Sequence, residues 1–208
     1  DGAGVWTSPG EKNVVSGQYK MPPASQGGLD NAERKFLSGK VAYVKRILEW
    51  GMGESTKIFA HSGVPFVRSI DSAPDWVADV KASVPSSWEI LHADIGPVGA
   101  WGVPKNNDAE SKRRWEHYMK LGIQDQDPFD LYFVDGRFRV ACVLTALMHG
   151  MGTNGTRTSD SFRVMLHDWS QLPEQRGYRV LLKVADIVDS SNPSSKDAAR
   201  KDNLVVLR

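Results

Sequence analysis

Five short apolar runs in this chain each stop on a polar or acidic residue, and helical stretches lie between them. The runs are residues 46–50, 66–71, 88–94, 129–135 and 162–168. Apolar runs of this length alternating with helices predict an α/β fold, a mostly parallel sheet covered by helices on both faces. In such an open sheet, ligands bind outside the carboxyl ends of the strands. Those ends read Glu49-Trp50-Gly51-Met52-Gly53, Asp71, Asp94, Asp135-Gly136-Arg137 and His167-Asp168. One aspartate at a strand end means little, because turns favour it. Acids or polar groups at all five, on one edge of one sheet, point to a site.

The rest of the chain fits around this core. Residues 1–28 are rich in Gly, Pro and Ser and predict a lead-in segment, with Met21-Pro22-Pro23 as a stiff extended piece. Residues 29–208 then form a single domain, a size that buries a substantial core. Asp30 is placed to cap a helix over 31–39, with Glu33 completing a capping box and Gly39 as the stop. Further helices are expected at 55–62, 74–83, 109–121 and 139–149, the second of these burying Trp76, Val77 and Val80 on one face. Two late strands, 184–188 and 204–207, are joined by the polar stretch 190–202 without a helix, which predicts an antiparallel pair.

The first strand end carries the most chemistry. Gly51 and Gly53 permit a tight turn and a close ligand approach, and the helix that follows offers unpaired N–H groups. The string Gly51-Met52-Gly53-Glu54-Ser55-Thr56 resembles a dinucleotide fingerprint, although Thr56 stands where a third glycine or alanine belongs. Asp71, at the end of the next strand, is suited to accept from both hydroxyls of a ribose. Glu49 separates two ligand classes: a carboxylate before the first glycine suits an ammonium and repels a pyrophosphate.

These residues resemble class I methyltransferases that use S-adenosylmethionine (SAM). The stretch Leu48-Glu49-Trp50-Gly51-Met52-Gly53-Glu54-Ser55-Thr56 is similar to their first motif, Asp71 to the ribose acid, and Asp94 to the acid near the adenine. The resemblance implies a Rossmann-like sheet of seven strands with a late antiparallel pair, and Ser55 and Thr56 beside the cofactor. Trp50 departs from the small residue or other hydrophobe found there in many of them and puts the pocket's shape in question. A narrower likeness runs through Phe133-Val134-Asp135-Gly136-Arg137-Phe138-Arg139-Val140-Ala141-Cys142 and Leu166-His167-Asp168-Trp169. It is to small methyltransferase-like proteins of algae, their large viruses and marine bacteria. Some resemble domains attached to glycosyltransferases, which implies methylation of a sugar hydroxyl, a glycan or small-molecule acceptor, and a piece of a longer chain.

Within that reading His167 is the preferred general base, with Asp135 or Asp168 to orient it. The alternative is a metal-dependent methyltransferase for phenolic or other hydroxylated small molecules, Asp135 and Asp168 holding magnesium or manganese. Arg137 and Arg139 suit sugar hydroxyls or a carboxylate, and equally an ion pair with Asp135 or Asp168. Trp101, in the long loop after Asp94, and Tyr118 are candidates to close over cofactor or acceptor, or plain core residues. A third alternative is a binding or accessory module that has kept the fold and lost catalysis.

Other classes are disfavoured. The formal net charge is +1 and the only tight basic cluster is Lys112-Arg113-Arg114, so neither nucleic acid nor a membrane surface is the expected partner. No apolar run approaches a membrane span and no charged-then-apolar leader is present, so a soluble chain is expected, with its compartment unspecified. The single Cys142 sits in an apolar stretch and reads as a core thiol.

Overall fold

The computed structural model describes residues 19–23, 28–99, 102–124, 127–152, 158–169, 177–192 and 203–208. Among the described residues five α-helices and seven strands follow one another as α1 (Asn31–Val41), β1 (Arg46–Trp50), α2 (Glu54–His61), β2 (Phe66–Asp71), α3 (Pro74–Ala82), β3 (Glu89–His92), α4 (Ala109–Lys120), β4 (Leu131–Val134), α5 (Arg139–Gly150), β5 (Arg163–Trp169), β6 (Ile187–Ser190) and β7 (Asn203–Leu207). One sheet takes all seven strands in the order β3-β2-β1-β4-β5-β7-β6. Strands β1 to β5 are parallel, and β7 runs antiparallel to both β5 and β6. This is the Rossmann-like arrangement expected, with β1 and β4 adjacent where the strand order reverses.

Alternation along each strand builds two cores. Ile47, Val67, Leu131, Phe133 and Met165 face Leu37, Ile58, Phe59 and Val80 of α1 to α3. Leu48, Trp50, Ile70, Tyr132, Val134 and Leu166 face Tyr118, Cys142, Val143 and Ala146 of α4 and α5. Cys142 is fully buried, as expected, and burial pushes its thiol up and out of reactive range. The Trp50 side chain fills the α4/α5 core, its indole N–H donating to the Tyr118 carbonyl at 3.3 Å. It does not line the cleft described below, so the departure at this position leaves the pocket's shape alone.

Local signals decide most boundaries. The capping box at α1 is present: Asp30 accepts from the Glu33 N–H at 2.8 Å, and Glu33 from the Asp30 N–H at 2.9 Å. The helix runs past Gly39 because Leu37 and Val41 both bury completely. Val77 and Val80 bury as expected, but Trp76 does not; it is 46% exposed and donates to the Met52 carbonyl at 2.6 Å. The late strand begins at Ile187, later than 184, because the 3-10 helix Tyr178–Lys183 is closed by the Val184 and Ala185 N–H groups bonding back to the Leu181 carbonyl, both at 3.0 Å. Among the described residues no helix is long and apolar enough to cross a membrane.

Candidate active site

A cleft of about 130 Å³ opens at the carboxyl ends of β1, β2 and β4, the reversal point of the strand order. Gly51, Met52, Asp71, Ser72, Gly102, Tyr118, Asp135, Gly136 and Arg137 line it. Its floor is two glycine backbones in contact. A Cβ on Gly51, whose φ is +90°, would stand 2.3 Å from the Gly136 nitrogen. One on Gly136 would stand 2.2 Å from the Tyr118 hydroxyl. Only glycine satisfies either position, and a ligand over them meets backbone with no side chain between.

Asp71 faces this floor from the end of β2. Its carboxylate accepts from the Ala73 N–H at 2.9 Å, and burial raises its pKa against the pull of that and neighbouring N–H groups. Tyr118 is buried beneath the cleft, its hydroxyl accepting the Arg137 backbone N–H at 3.4 Å. On one side the Gly99 N–H donates to the Val103 carbonyl at 2.7 Å, and Gly102 lies against the Arg137 side chain. Trp101 lies outside the described residues.

Glu49, Ser55 and Thr56 sit behind the floor. Alternation sends Glu49 to the α2 face, where Ser55, Thr56 and Ser69 donate hydroxyls to it at 2.5, 2.6 and 2.5 Å. Thr56 in turn accepts the Gly53 N–H at 2.8 Å, so the acid braces the glycine turn from below. Burial lifts the Glu49 carboxyl to about 7, with the three hydroxyls opposing. No part of Glu49 lines the cleft, so the ammonium contact expected of it finds no opening here. Asp94 is also turned away: it is exposed, accepts the Gly96 N–H at 2.8 Å and pairs with Arg114 at 2.5 Å.

The strand ends of β4 and β5 form a charged cluster. Arg139 is buried and its guanidinium is fully engaged: with the carbonyls of Gly136, Asp135 and His167 at 3.0, 2.8 and 2.7 Å, and with the carboxylates of Asp135 and Asp168 at 2.8 Å each. His167 Nδ1 lies 2.9 Å from Asp135 Oδ1, and its Nε2 lies 3.3 Å from Glu33 Oε1. Burial draws the imidazole's pKa down, but Asp135, Glu33 and Asp168 reverse that and raise it to about 10. His167 is thus an imidazolium whose two nitrogens both face carboxylates, a poor arrangement for accepting a proton. Asp168 sits at a bulge in β5 with φ 58°, a left-handed conformation that aspartate tolerates and the Arg139 contact holds.

Asp135, His167 and Asp168 offer ligand atoms within 4.8 Å of one another, the spacing of a metal site. The donor set does not fit one as it stands. Arg139 occupies both carboxylates and His167 is protonated between them, so two cations already hold the place of a third.

Sequence reasoning misses Glu33 as a partner of His167, Gly136 as half of the floor, and Trp76 over the glycine turn. The Asp-Gly pair after an apolar strand is the signal for Gly136. Nothing in the sequence brings Glu33 to residue 167.

Comparison of the sequence with family models gives no match, and comparison with curated proteins gives none either. Among solved structures, the chain is similar to a methyltransferase-like protein from Silicibacter pomeroyi, with 27% identity, a TM-score of 0.61 and 90% of each chain covered. A functionally unknown protein from Deinococcus radiodurans R1 also aligns, with 15% identity, a TM-score of 0.49, and 93% of this chain and 95% of that chain covered. The fold is thus like that of the methyltransferase-like protein.

Proposed function

We propose that the protein is a SAM-dependent methyltransferase acting on a hydroxyl group. The observation that carries this is the bare double-glycine floor at the β1/β4 reversal, with the Asp71 carboxylate facing it. Gly51 and Gly136 supply close backbone approach and Asp71 supplies two acceptor oxygens for a ribose. When bound, SAM supplies an electrophilic methyl group on sulfur. The chain's own task is to place an acceptor oxygen in line with it and exclude water.

At the acceptor end the residue suited to act is Asp135. It lines the cleft, and its Oδ1 is fixed by Arg139 at 2.8 Å and His167 at 2.9 Å. No described residue takes its Oδ2, which is free to accept from a hydroxyl during attack. His167 then serves as a positioning residue, not the base. A sugar acceptor rests on the resemblance of the segment around Asp135 and His167 to glycan-associated methyltransferase-like proteins.

Isothermal titration with SAM and with its demethylated product, S-adenosylhomocysteine, tests the reading. Folded protein is expected to bind both with micromolar affinity, on the order of −8 kcal/mol. No heat and no thermal stabilisation at millimolar ligand would rule it out.

A further inference from the structure

The two arginines that follow Asp135 have opposite surroundings. Arg139 is enclosed, every one of its contacts being to protein carbonyls and carboxylates. Arg137 stands in the cleft wall, half-buried, with its Cδ 3.8 Å from where a Cβ on Gly102 would lie. Among the described residues its guanidinium makes no hydrogen bond and no ion pair. The two cleft acids do not claim it. Asp135 is matched by Arg139 and His167, and Asp71 turns to the Ala73 N–H, feeling Arg137 only through its field.

A half-buried cation in a ligand cleft, with no protein partner for its planar fork, is built for a planar or multi-oxygen anion. We propose that Arg137 is the anion-receiving group of this cleft, and that what binds there presents a carboxylate, sulfate or phosphate to it. The choice of nucleoside probes, and the cofactor as one source of the anion, rest on the SAM reading. The anion has two candidate sources of one chemistry: the amino-acid carboxylate of the cofactor, or an acidic substituent of the acceptor.

Three titrations separate them, on the wild type, Arg137→Gln and Arg137→Lys. The probes are S-adenosylhomocysteine, methylthioadenosine (the same nucleoside without the amino acid), and sodium sulfate added to protein saturated with S-adenosylhomocysteine. If the cofactor is the source, Arg137→Gln weakens S-adenosylhomocysteine by about 10-fold or more and leaves methylthioadenosine unchanged. If the acceptor is the source, both nucleosides bind as before, and sulfate binds the saturated wild type but not Arg137→Gln. Arg137→Lys keeps the charge without the fork and is expected to fall between. Equal behaviour of wild type and Arg137→Gln with all three probes overturns the proposal. If the wild type binds neither nucleoside, the SAM reading fails separately. Sulfate on the free protein then decides, its loss in Arg137→Gln supporting the proposal and equal or absent binding overturning it. Should Arg137→Gln not fold, the Arg137 Nε–H resonance of the wild type decides instead: it shifts on adding S-adenosylhomocysteine or sulfate, or the proposal is wrong.

Discussion

Asp71 and Gly136 make opposite demands on the cleft, one chemical and one steric. Removing the Asp71 carboxylate in Asp71→Ala takes away two acceptor oxygens whose contacts with the fold are to the nearby backbone N–H groups of Ala73, Ser72 and Met52. S-adenosylhomocysteine affinity is expected to fall about 10- to 100-fold in calorimetry, with little change in melting temperature. In Gly136→Ala the new methyl meets the Tyr118 hydroxyl, and the fold is expected to lose about 1–3 kcal/mol in urea unfolding. Tyr118→Phe removes that oxygen, so the double variant recovers part of the loss, and a strictly additive result would show that the two do not touch. The pair also shows what a sequence makes legible. Asp71 is readable because it ends an apolar run. Glu49 is readable as an acid beside a glycine, but its role turns on which face it takes. Alternation along β1 decides that face, sending Glu49 under α2 while Trp50 goes to the other core. Arg139 and Arg137 are indistinguishable in the sequence, because nothing local says which one α5 buries.

Helix α1 acts as a clamp across two strand ends. Its first turn offers Glu33 to His167 of β5 and Arg34 to Glu54 at the start of α2 and to the Pro22 carbonyl. The same Glu33 completes the capping box with Asp30, so helix start and site share one carboxylate. Asp30→Ala removes the cap and is expected to cost about 1 kcal/mol of stability by thermal unfolding. It should leave the His167 ring resonances in place, because the Glu33 carboxylate is held by the Asp30 backbone N–H, which the substitution keeps; a large shift of the His167 signal would mean that the Asp30 side chain also positions the site. At this scale the sequence is most legible where signals are local. The Asp30/Glu33 box, Pro74 at the first position of α3 and the apolar strands all fall where expected. The 3-10 helix at 178–183 escapes sequence reasoning because one short turn leaves no helical period to read, and burial of Tyr178 and Leu181 against α5 decides it.

For the whole molecule, two buried groups give stability a defined response to pH. The folded chain keeps a proton on Glu49 up to about pH 7, against an ordinary 4.5, and on His167 up to about 10, against 6.5. Across both ranges the folded state binds more protons than the unfolded one, so stability falls as pH rises. The Glu49 contribution, complete below 4.5, is gone above 7; that of His167, complete below 6.5, is gone above 10. Each is on the order of a few kcal/mol. Melting temperature is expected to decline between pH 5 and 10. Glu49→Gln should flatten the lower part of the curve and leave the upper part; a curve unchanged in that variant would remove Glu49 as a cause.

The sheet's strand order has one more consequence, in time. β7 lies between β5 and β6 yet is the last of the three to leave the ribosome. Until it arrives β5 is an open edge, with Val164, Met165 and Leu166 unpaired on one side and available to any other extended chain. The bulge that turns Asp168 into the left-handed conformation arises in the same pairing. Residues 203–207 thus finish the charged cluster as well as the sheet, and the nascent protein holds its fold's most adhesive edge exposed until they are made.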